Sequence, residues 1–256
     1  MISVVILGGG NVATHLFKAI NGSNHATVTQ WYNRHLNNIK SYSNLVEVTD
    51  NLDNLKEADV YILSVSDDAI KTLSSRLPFE NRLVIHTSGS VKVSDIDRKN
   101  RQGVFYPLQS FTKDVPLNFA HIPVCIEAID KNDYHLLKAL AVGLGCQTKK
   151  VNSDQRRVLH LSAVFVNNFA NQLYRIAHEI TESQGAEFDL LKPLILETAN
   201  KVQDLSPYRA QTGPALRHDK KTIKDHLKLL EDNPQHKAVY KLLTQSIQQT
   251  HGRKKL

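Results

Sequence analysis

Cysteine is nearly missing from this chain. Cys125 and Cys146 are the only two in 256 residues, and they form no metal-like pair, so free thiols in a reducing cytoplasm are expected. Long hydrophobic runs are missing too. No apolar stretch approaches the length of a membrane span, and the first, Ile2-Ser3-Val4-Val5-Ile6-Leu7, stops after six residues, too soon for a signal-peptide core. Twelve histidines are present, yet no H-E-x-x-H or comparable cluster, so no metal is implied. The net charge of +7 divides into 16 basic against 14 acidic residues over 1–152 and 16 against 11 over 153–256. Three of the later charges are the tail Arg253-Lys254-Lys255, most simply a frayed, solvated terminus. With no nucleic-acid motif in the chain, a small anionic ligand accounts for the remaining excess as well as a nucleic acid would. At 41% hydrophobic residues the chain can bury a sizeable core, as one large domain or two ordinary ones.

What is present begins with the first seventeen residues. Ile2 to Leu7 is rich in β-branched residues and halted by three glycines, which predicts a buried strand. Gly8-Gly9-Gly10-Asn11-Val12-Ala13 then fits G-x-G-x-x-A, and Val12, Leu16 and Ile20 repeat at helical spacing beside Ala13 and Phe17. Strand, glycine turn and helix thus come in the order a dinucleotide site needs. Gly8 permits the tight turn, Gly10 has no Cβ to hold a pyrophosphate off the backbone, and Ala13 lets the helix pack closely on the strand. Gly9, Asn11 and Val12 complete the turn, where unpaired N–H groups and the positive end of the helix dipole bind anions. An ordinary glycine-rich βα turn is the alternative.

Ala26 to Tyr32 reads as a second strand, ending where dinucleotide folds read the adenosine ribose. An NAD site places Asp or Glu there. This chain has Asn33-Arg34-His35, and Arg34 can make charge-assisted bonds to a 2′-phosphate, so NADP is favoured, with NAD as the second choice. Leu45 to Val48, Ala58 to Val65 and Leu83 to Ile85 are further strands. Val65 and Ser66 lie in a loop at a carboxyl strand end, bordering the cofactor crevice, with Asp67 or Asp68 expected to cap the next helix. In His86-Thr87-Ser88-Gly89-Ser90 the hydroxyl groups either bond a ribose or substrate carboxylate or cap a helix. Ser88 is a candidate for the cofactor and Ser90 for the substrate. Tyr106-Pro107-Leu108-Gln109-Ser110-Phe111 reads as an irregular, proline-broken loop lining a site, with Gln109 a substrate candidate. Strands at Ile122 to Glu127 and Gln147 to Val151 flank a helix from Tyr134 to Leu144, and the first domain is expected to end at Asn152.

From Ser153 the pattern is helical throughout, which predicts a smaller all-helical domain over 153–256. Val158 to Ala177 reads as one helix, apolar over most of its circumference, and such a helix is normally enclosed, here in part by a second subunit. At about 100° per residue, Asn167, Asn171, Arg175, Asn168 and Tyr174 fall within about 80° of His160. That stripe holds one full charge, Arg175, and so suits a half-buried site in which His160 gives or takes a proton; a buried histidine with asparagines bridging helices is the structural reading. Further helices are expected at Asp189 to Leu205, with Pro193 in its first turn, at Lys220 to Asp232 and at Lys237 to Gln249. Asp219 can cap the second of these, while Arg209 and Arg217 could meet an anion.

The glycine turn, His86 to Ser90, Tyr106 to Phe111, the His160 to Asn168 spacing, and Thr212-Gly213-Pro214 followed by Arg217 and Asp219 together resemble a known family. Its members are two-domain Rossmann proteins whose helical C-terminal half is a domain of unknown function, related to pyrroline-5-carboxylate reductases and deazaflavin-dependent NADP reductases. The resemblance implies an NADP oxidoreductase without a settled substrate and a homodimer built through the helical domain. One departure is His218, where the family pattern has glycine between the arginine and the aspartate. Related hydroxyacid dehydrogenases place a catalytic lysine and an asparagine on the equivalent long helix. Here no lysine stands between Asn152 and Ala177, so His160 and Asn168 would serve.

The sequence therefore leads to an α/β chain with a Rossmann doubly wound, mostly parallel sheet and a helical domain. The expected activity is an NADP-dependent reduction of a C=N or C=O group in a small anionic molecule held between the domains. His160 would be the general acid, and Asn167 and Asn168 would orient it or the substrate. The rival is a non-catalytic NADP-binding sensor or scaffold. No membrane or nucleic acid is expected as a partner, and a cytoplasmic location is.

Overall fold

The computed structural model describes residues 1–252; the basic tail Arg253-Lys254-Lys255 lies outside the described residues. The first strand, β1 (Ile2–Leu7), leads through the glycines into α1 (Asn11–Asn21) and then β2 (Ala26–Tyr32). After these come β3 (Val48–Thr49), β4 (Val60–Leu63), α2 (Asp67–Ser75), β5 (Leu83–His86) and β6 (Arg101–Pro107). The series ends with β7 (Pro123–Ala128), α3 (Lys131–Gly143) and β8 (Gln147–Lys150). These strands form one eight-stranded sheet in the order β3-β2-β1-β4-β5-β6-β7-β8, parallel everywhere except at the β6–β7 pair. A reversal of strand order on either side of β1 is the doubly wound arrangement, and it opens a crevice at the carboxyl ends of the strands.

Alternation along β1 explains why it reads as a continuous apolar run. Val4 and Ile6 join a core with Leu16, Phe17 and Trp31 on one face, while Val5 and Leu7 join Tyr61, Leu63 and Ile70 on the other. A strand covered on both faces has no solvent-facing positions to fill with polar residues. The central strands were legible for this reason, and the peripheral ones less so. The third strand is Val48–Thr49, two residues long, and not Leu45 to Val48; Leu45 is exposed and its amide bonds the Tyr42 carbonyl in a turn. β4 is Val60–Leu63, shorter at both ends than Ala58 to Val65. β6 continues through Tyr106 and Pro107, which pair with Cys125 and Val124, so these two are strand and not irregular loop. Proline is tolerated there because the pairing with β5 ends at Val104, so no ladder bond to that side is lost.

Two compact units follow from the packing, residues 1–169 and residues 170 onward. The first unit thus continues beyond the last strand to include α4 (Ser153–Ala163) and a π-helical segment, Val164–Phe169. The expected single helix from Val158 to Ala177 is replaced by α4, this π segment and α5 (Ala170–Ser183). Hydrogen bonding from i to i+5 changes the angular step between residues, so the stripe counted at a constant α-helical pitch from His160 is not maintained through Asn167 and Asn168.

The second unit comprises α5, a 3-10 turn (Phe188–Leu191), α6 (Lys192–Asp204, with Pro193 in its first turn), α7 (Pro207–Ala210), α8 (Lys220–Leu229) and α9 (Pro234–Gly252). Proline is at home in a first turn, whose N–H groups have no intrahelical partner. Asp219 caps α8, accepting from the Thr222 amide and hydroxyl. Inside this unit Glu179 on α5 meets both Arg175 at 3.4 Å and the buried His236 at 3.0 Å. Among the described residues no helix is long and apolar enough to cross a membrane, and no cluster could hold a metal ion.

Candidate active site

A cavity of about 1080 Å³ opens at the carboxyl ends of β1, β2, β4, β5 and β6, and every residue lining it belongs to the first unit. One wall is the glycine turn. Gly8 has φ +122°, and a Cβ built on it would stand 2.0 Å from the Ser64 carbonyl oxygen, so only glycine fits. A Cβ on Gly10 would meet no protein atom within 4 Å. The turn therefore presents bare backbone to open space, which is the cradle a pyrophosphate needs. Gly10 is also the N-cap of α1, with no side-chain cap and no acid in the first turn, which leaves the amides at Asn11 and Val12 for an anion. The Asn11 side chain is engaged elsewhere: its Nδ2 donates to the Phe111 carbonyl at 2.9 Å, and one turn on His15 Nε2 donates to the Thr112 carbonyl at 2.8 Å. Two bonds thus tie the segment after β6 to the dinucleotide-type helix.

At the end of β2 the cavity is lined by Asn33, Arg34, His35 and Asn38. Asn33 is buried and donates to the His35 carbonyl at 2.8 Å, shaping the turn that presents the exposed Arg34. Ala69, Thr72 and Leu73 of α2 and its C-cap residue Arg76 also line the cavity, with a spacing of three and four residues. That face was readable from the sequence by its period, yet Thr72 and Arg76 were not among the candidates. Val65 and Ser66 are both in the lining, as expected. The expected cap on α2 is corrected: Ser66 is the N-cap residue and makes no side-chain cap bond, while Asp67 and Asp68 occupy the first turn, where their charge meets the helix dipole.

Past β5, Ser88 and Gly89 line the cavity and Ser90 does not. Ser88 Oγ accepts from the amides of Ser90 and Val91, so its hydroxyl folds the loop that it also lines. His86 supports this loop from below, its Nδ1 accepting from the Ser88 amide at 3.2 Å. Burial, and then the nearby Arg156 cation, push the His86 pKa down to about 3, so the ring is neutral with its proton on Nε2.

The far wall is Tyr106, Gln109, Phe111 and His160. His160 is on α4, which begins with a capping box between Asn152 and Gln155. One turn before His160, on the same face, Arg156 is wholly buried; it pairs with Glu127 on β7 and donates to the Val91 carbonyl and, at 3.2 Å, to Ser153 Oγ. Thus anchored, α4 sets His160 Nδ1 3.1 Å from the Tyr106 hydroxyl, with the rings edge to face. Burial holds the Tyr106 hydroxyl pKa up to about 12. The structure therefore brings His160 into one cavity with the glycine turn, Asn33, Arg34, Ser88 and Gln109. It does not bring Asn167, Asn168 or Ser90 there, the two asparagines being exposed on the π segment; Arg217 belongs to the second unit, on the loop before α8. Tyr106 was legible as part of a site segment but not as the partner of His160, because residues 54 apart in sequence give no sign of meeting.

The sheet order and the glycine turn together define a Rossmann-fold protein of the dinucleotide-binding type. Residues 122–247 match the model of a domain of unknown function, DUF2520. The whole structure is similar to a crystal structure from Bacteroides fragilis described as a candidate NADP oxidoreductase, with 37% identity and a TM-score of 0.89 over 98% of each chain. The chain belongs to this family of Rossmann proteins with a DUF2520 C-terminal domain. An imine reductase from Myxococcus stipitatus in complex with NADP+ is similar over 96% of this chain and 93% of its own, at 17% identity and a TM-score of 0.67. A 1-pyrroline-5-carboxylate reductase from Streptococcus pyogenes is similar over 98% and 99%, at 12% identity and a TM-score of 0.67. These two share the fold, which alone does not define an activity. No curated protein matches the chain.

Proposed function

We propose that this chain is an NADP-dependent oxidoreductase that reduces a C=N or C=O group of a small anionic molecule. One observation carries the reading: a single cavity runs from the open backbone at Gly10 to the imidazole of His160, so a phosphate cradle and a proton donor share one space. The names of the similar proteins, an NADP oxidoreductase, an imine reductase and a pyrroline-5-carboxylate reductase, agree with it.

The residues fit the cofactor. The glycine turn and the amides at the start of α1 would hold the pyrophosphate, and Arg34 would meet the 2′-phosphate beside an Asn33 that brings no competing charge. Arg76 lines the same cavity and adds positive charge to it. NADPH supplies the hydride when bound. His160 then holds the proton that the heteroatom of the reduced bond must receive, and Ser88 and Gln109 offer hydrogen bonds to a bound molecule. NAD is the alternative cofactor.

Assembly as a homodimer belongs to this reading. Val158, Leu161, Phe165 and Val166 are each more than half exposed in the single chain, and a second copy would cover them.

The test is an NADPH-oxidation screen at 340 nm against imines, keto acids and cyclic amino-acid precursors, with native and His160→Ala proteins side by side. The substitution is expected to lower turnover by about 10²–10⁴, the usual contribution of a positioned general acid, and to leave NADPH binding nearly intact. Tight NADPH binding without turnover of any compound would favour a non-catalytic sensor instead.

A further inference from the structure

We propose that Tyr106 is a positioning residue that fixes the tautomer of His160: its O–H donates to Nδ1, the imidazole proton resides on Nε2, and Gly89 provides the room that lets the two rings meet. What that proton is used for rests on the reductase reading above; the tautomer itself does not.

Three elements converge on the imidazole. Tyr106 is held by the sheet, in register opposite Cys125 on β7. His160 is held by α4, which the buried Arg156 locks to Glu127 one turn earlier. The third is the loop after β5, whose backbone passes against the ring at Gly89. A Cβ added there would lie 2.6 Å from His160 Nδ1, 2.7 Å from Cγ and 2.9 Å from Cβ, and these are the three nearest atoms. The absence of a side chain at one loop position is therefore what allows the hydroxyl–imidazole contact of 3.1 Å.

Donor counting assigns the proton. Among the described residues, the Tyr106 hydroxyl has no hydrogen-bond partner other than His160 Nδ1. If Nδ1 carried the proton, Tyr106 would accept from it, and the O–H of this buried side chain would be left without an acceptor among the described residues, which costs free energy. With the proton on Nε2, the hydroxyl and Nδ1 are matched to each other, and the donor left over is the N–H of a half-buried imidazole and not the O–H of a buried tyrosine. Burial keeps the hydroxyl protonated, and of the charged or titratable groups that act on it, Cys125 and Asp67 favour the neutral form while Arg156 opposes it. Nε2 has no partner among the described residues, which leaves its N–H for a molecule bound in the cavity.

The experiment is long-range ¹H–¹⁵N NMR on the full chain with ¹⁵N-labelled histidine, the His160 signals being assigned by their loss in His160→Gln. At alkaline pH the native ring is expected to show one neutral tautomer, protonated at Nε2. Tyr106→Phe removes the donor, and Gly89→Ala pushes the ring away with both partners kept; each is expected to give signals averaged between the two tautomers. A native ring protonated at Nδ1, or averaged, overturns the proposal without need of any variant. So does a Tyr106→Phe protein that keeps the native signals. NADPH binding, followed by calorimetry on the native chain, is a separate measurement: its failure would sink the reductase reading and leave the tautomer result standing.

Discussion

The indole Nε1–H of Trp31 donates to the carbonyl oxygen of Gly8 at 2.5 Å, joining a wholly buried side chain of β2 to the buried first glycine of the phosphate turn. The ring also stacks on Phe17 of α1, at 4.8 Å between centroids. Strand, turn and helix are thereby held by one residue. Trp31→Phe keeps the stacking and removes the donor from a buried carbonyl. Stability in urea is expected to fall by about 1–3 kcal/mol, the cost of an unmatched buried group, with NADPH affinity falling too as the turn loosens. Unchanged unfolding midpoint and affinity would show that the bond holds nothing.

Two glycines of the same turn are expected to respond in opposite ways. Gly10→Val places its side chain in open space, so the thermal midpoint should stay near the native value while NADPH and NADH binding are both lost. Gly8→Ala instead meets the Ser64 carbonyl and an unfavourable φ, and should cost at least the roughly 1–3 kcal/mol of a strained backbone position. Calorimetry and thermal melts on the two variants check this. A Gly10→Val protein that binds NADPH normally would remove the phosphates from this turn.

Arg34 is expected to decide between the two cofactors. Arg34→Ala should weaken NADPH about 10–100-fold, the value of a hydrogen bond to a charged group, and should hardly change NADH. Equal affinity of the native protein for both nucleotides, measured by calorimetry, would end the NADP preference.

Dimer formation has its own check in light scattering. A mass twice that of the chain is expected at micromolar concentration, and Phe165→Glu should shift it toward the monomer by placing a charge on a surface that is apolar and exposed in one copy. A native monomer would contradict the assembly.

Legibility in the sequence followed burial and locality. The glycine turn and the central strands were readable because close backbone approach and two-sided burial each limit the residues that fit, as at Gly8 and along Val4 to Leu7. Edge strands such as Val48–Thr49 bury little and leave little pattern. The π segment was not readable because its apolar residues satisfy an α-helical period as well, and only the backbone bonding distinguishes the two. The Tyr106–His160 pair joins residues far apart in sequence, which no spacing rule reaches. His218 shows the reverse. Its φ of 54° lies in the left-handed region, which explains why the family pattern has glycine at this position and why the departure could be noticed without being interpreted.

The antiparallel turn-back from β6 to β7 gives the chain room for divergence. In the parallel part of the sheet every connection must cross back to the opposite edge, so its length is bound to the helix or loop that makes the crossing. Residues 108–122 leave β6 and enter β7 at the same edge, the one where the cavity opens. Residues can be gained or lost there without altering either strand's register. A lineage could therefore vary the stretch that begins with Gln109 and Phe111, and with it one wall of the cavity, while the glycine turn and the His160 anchor stay as they are.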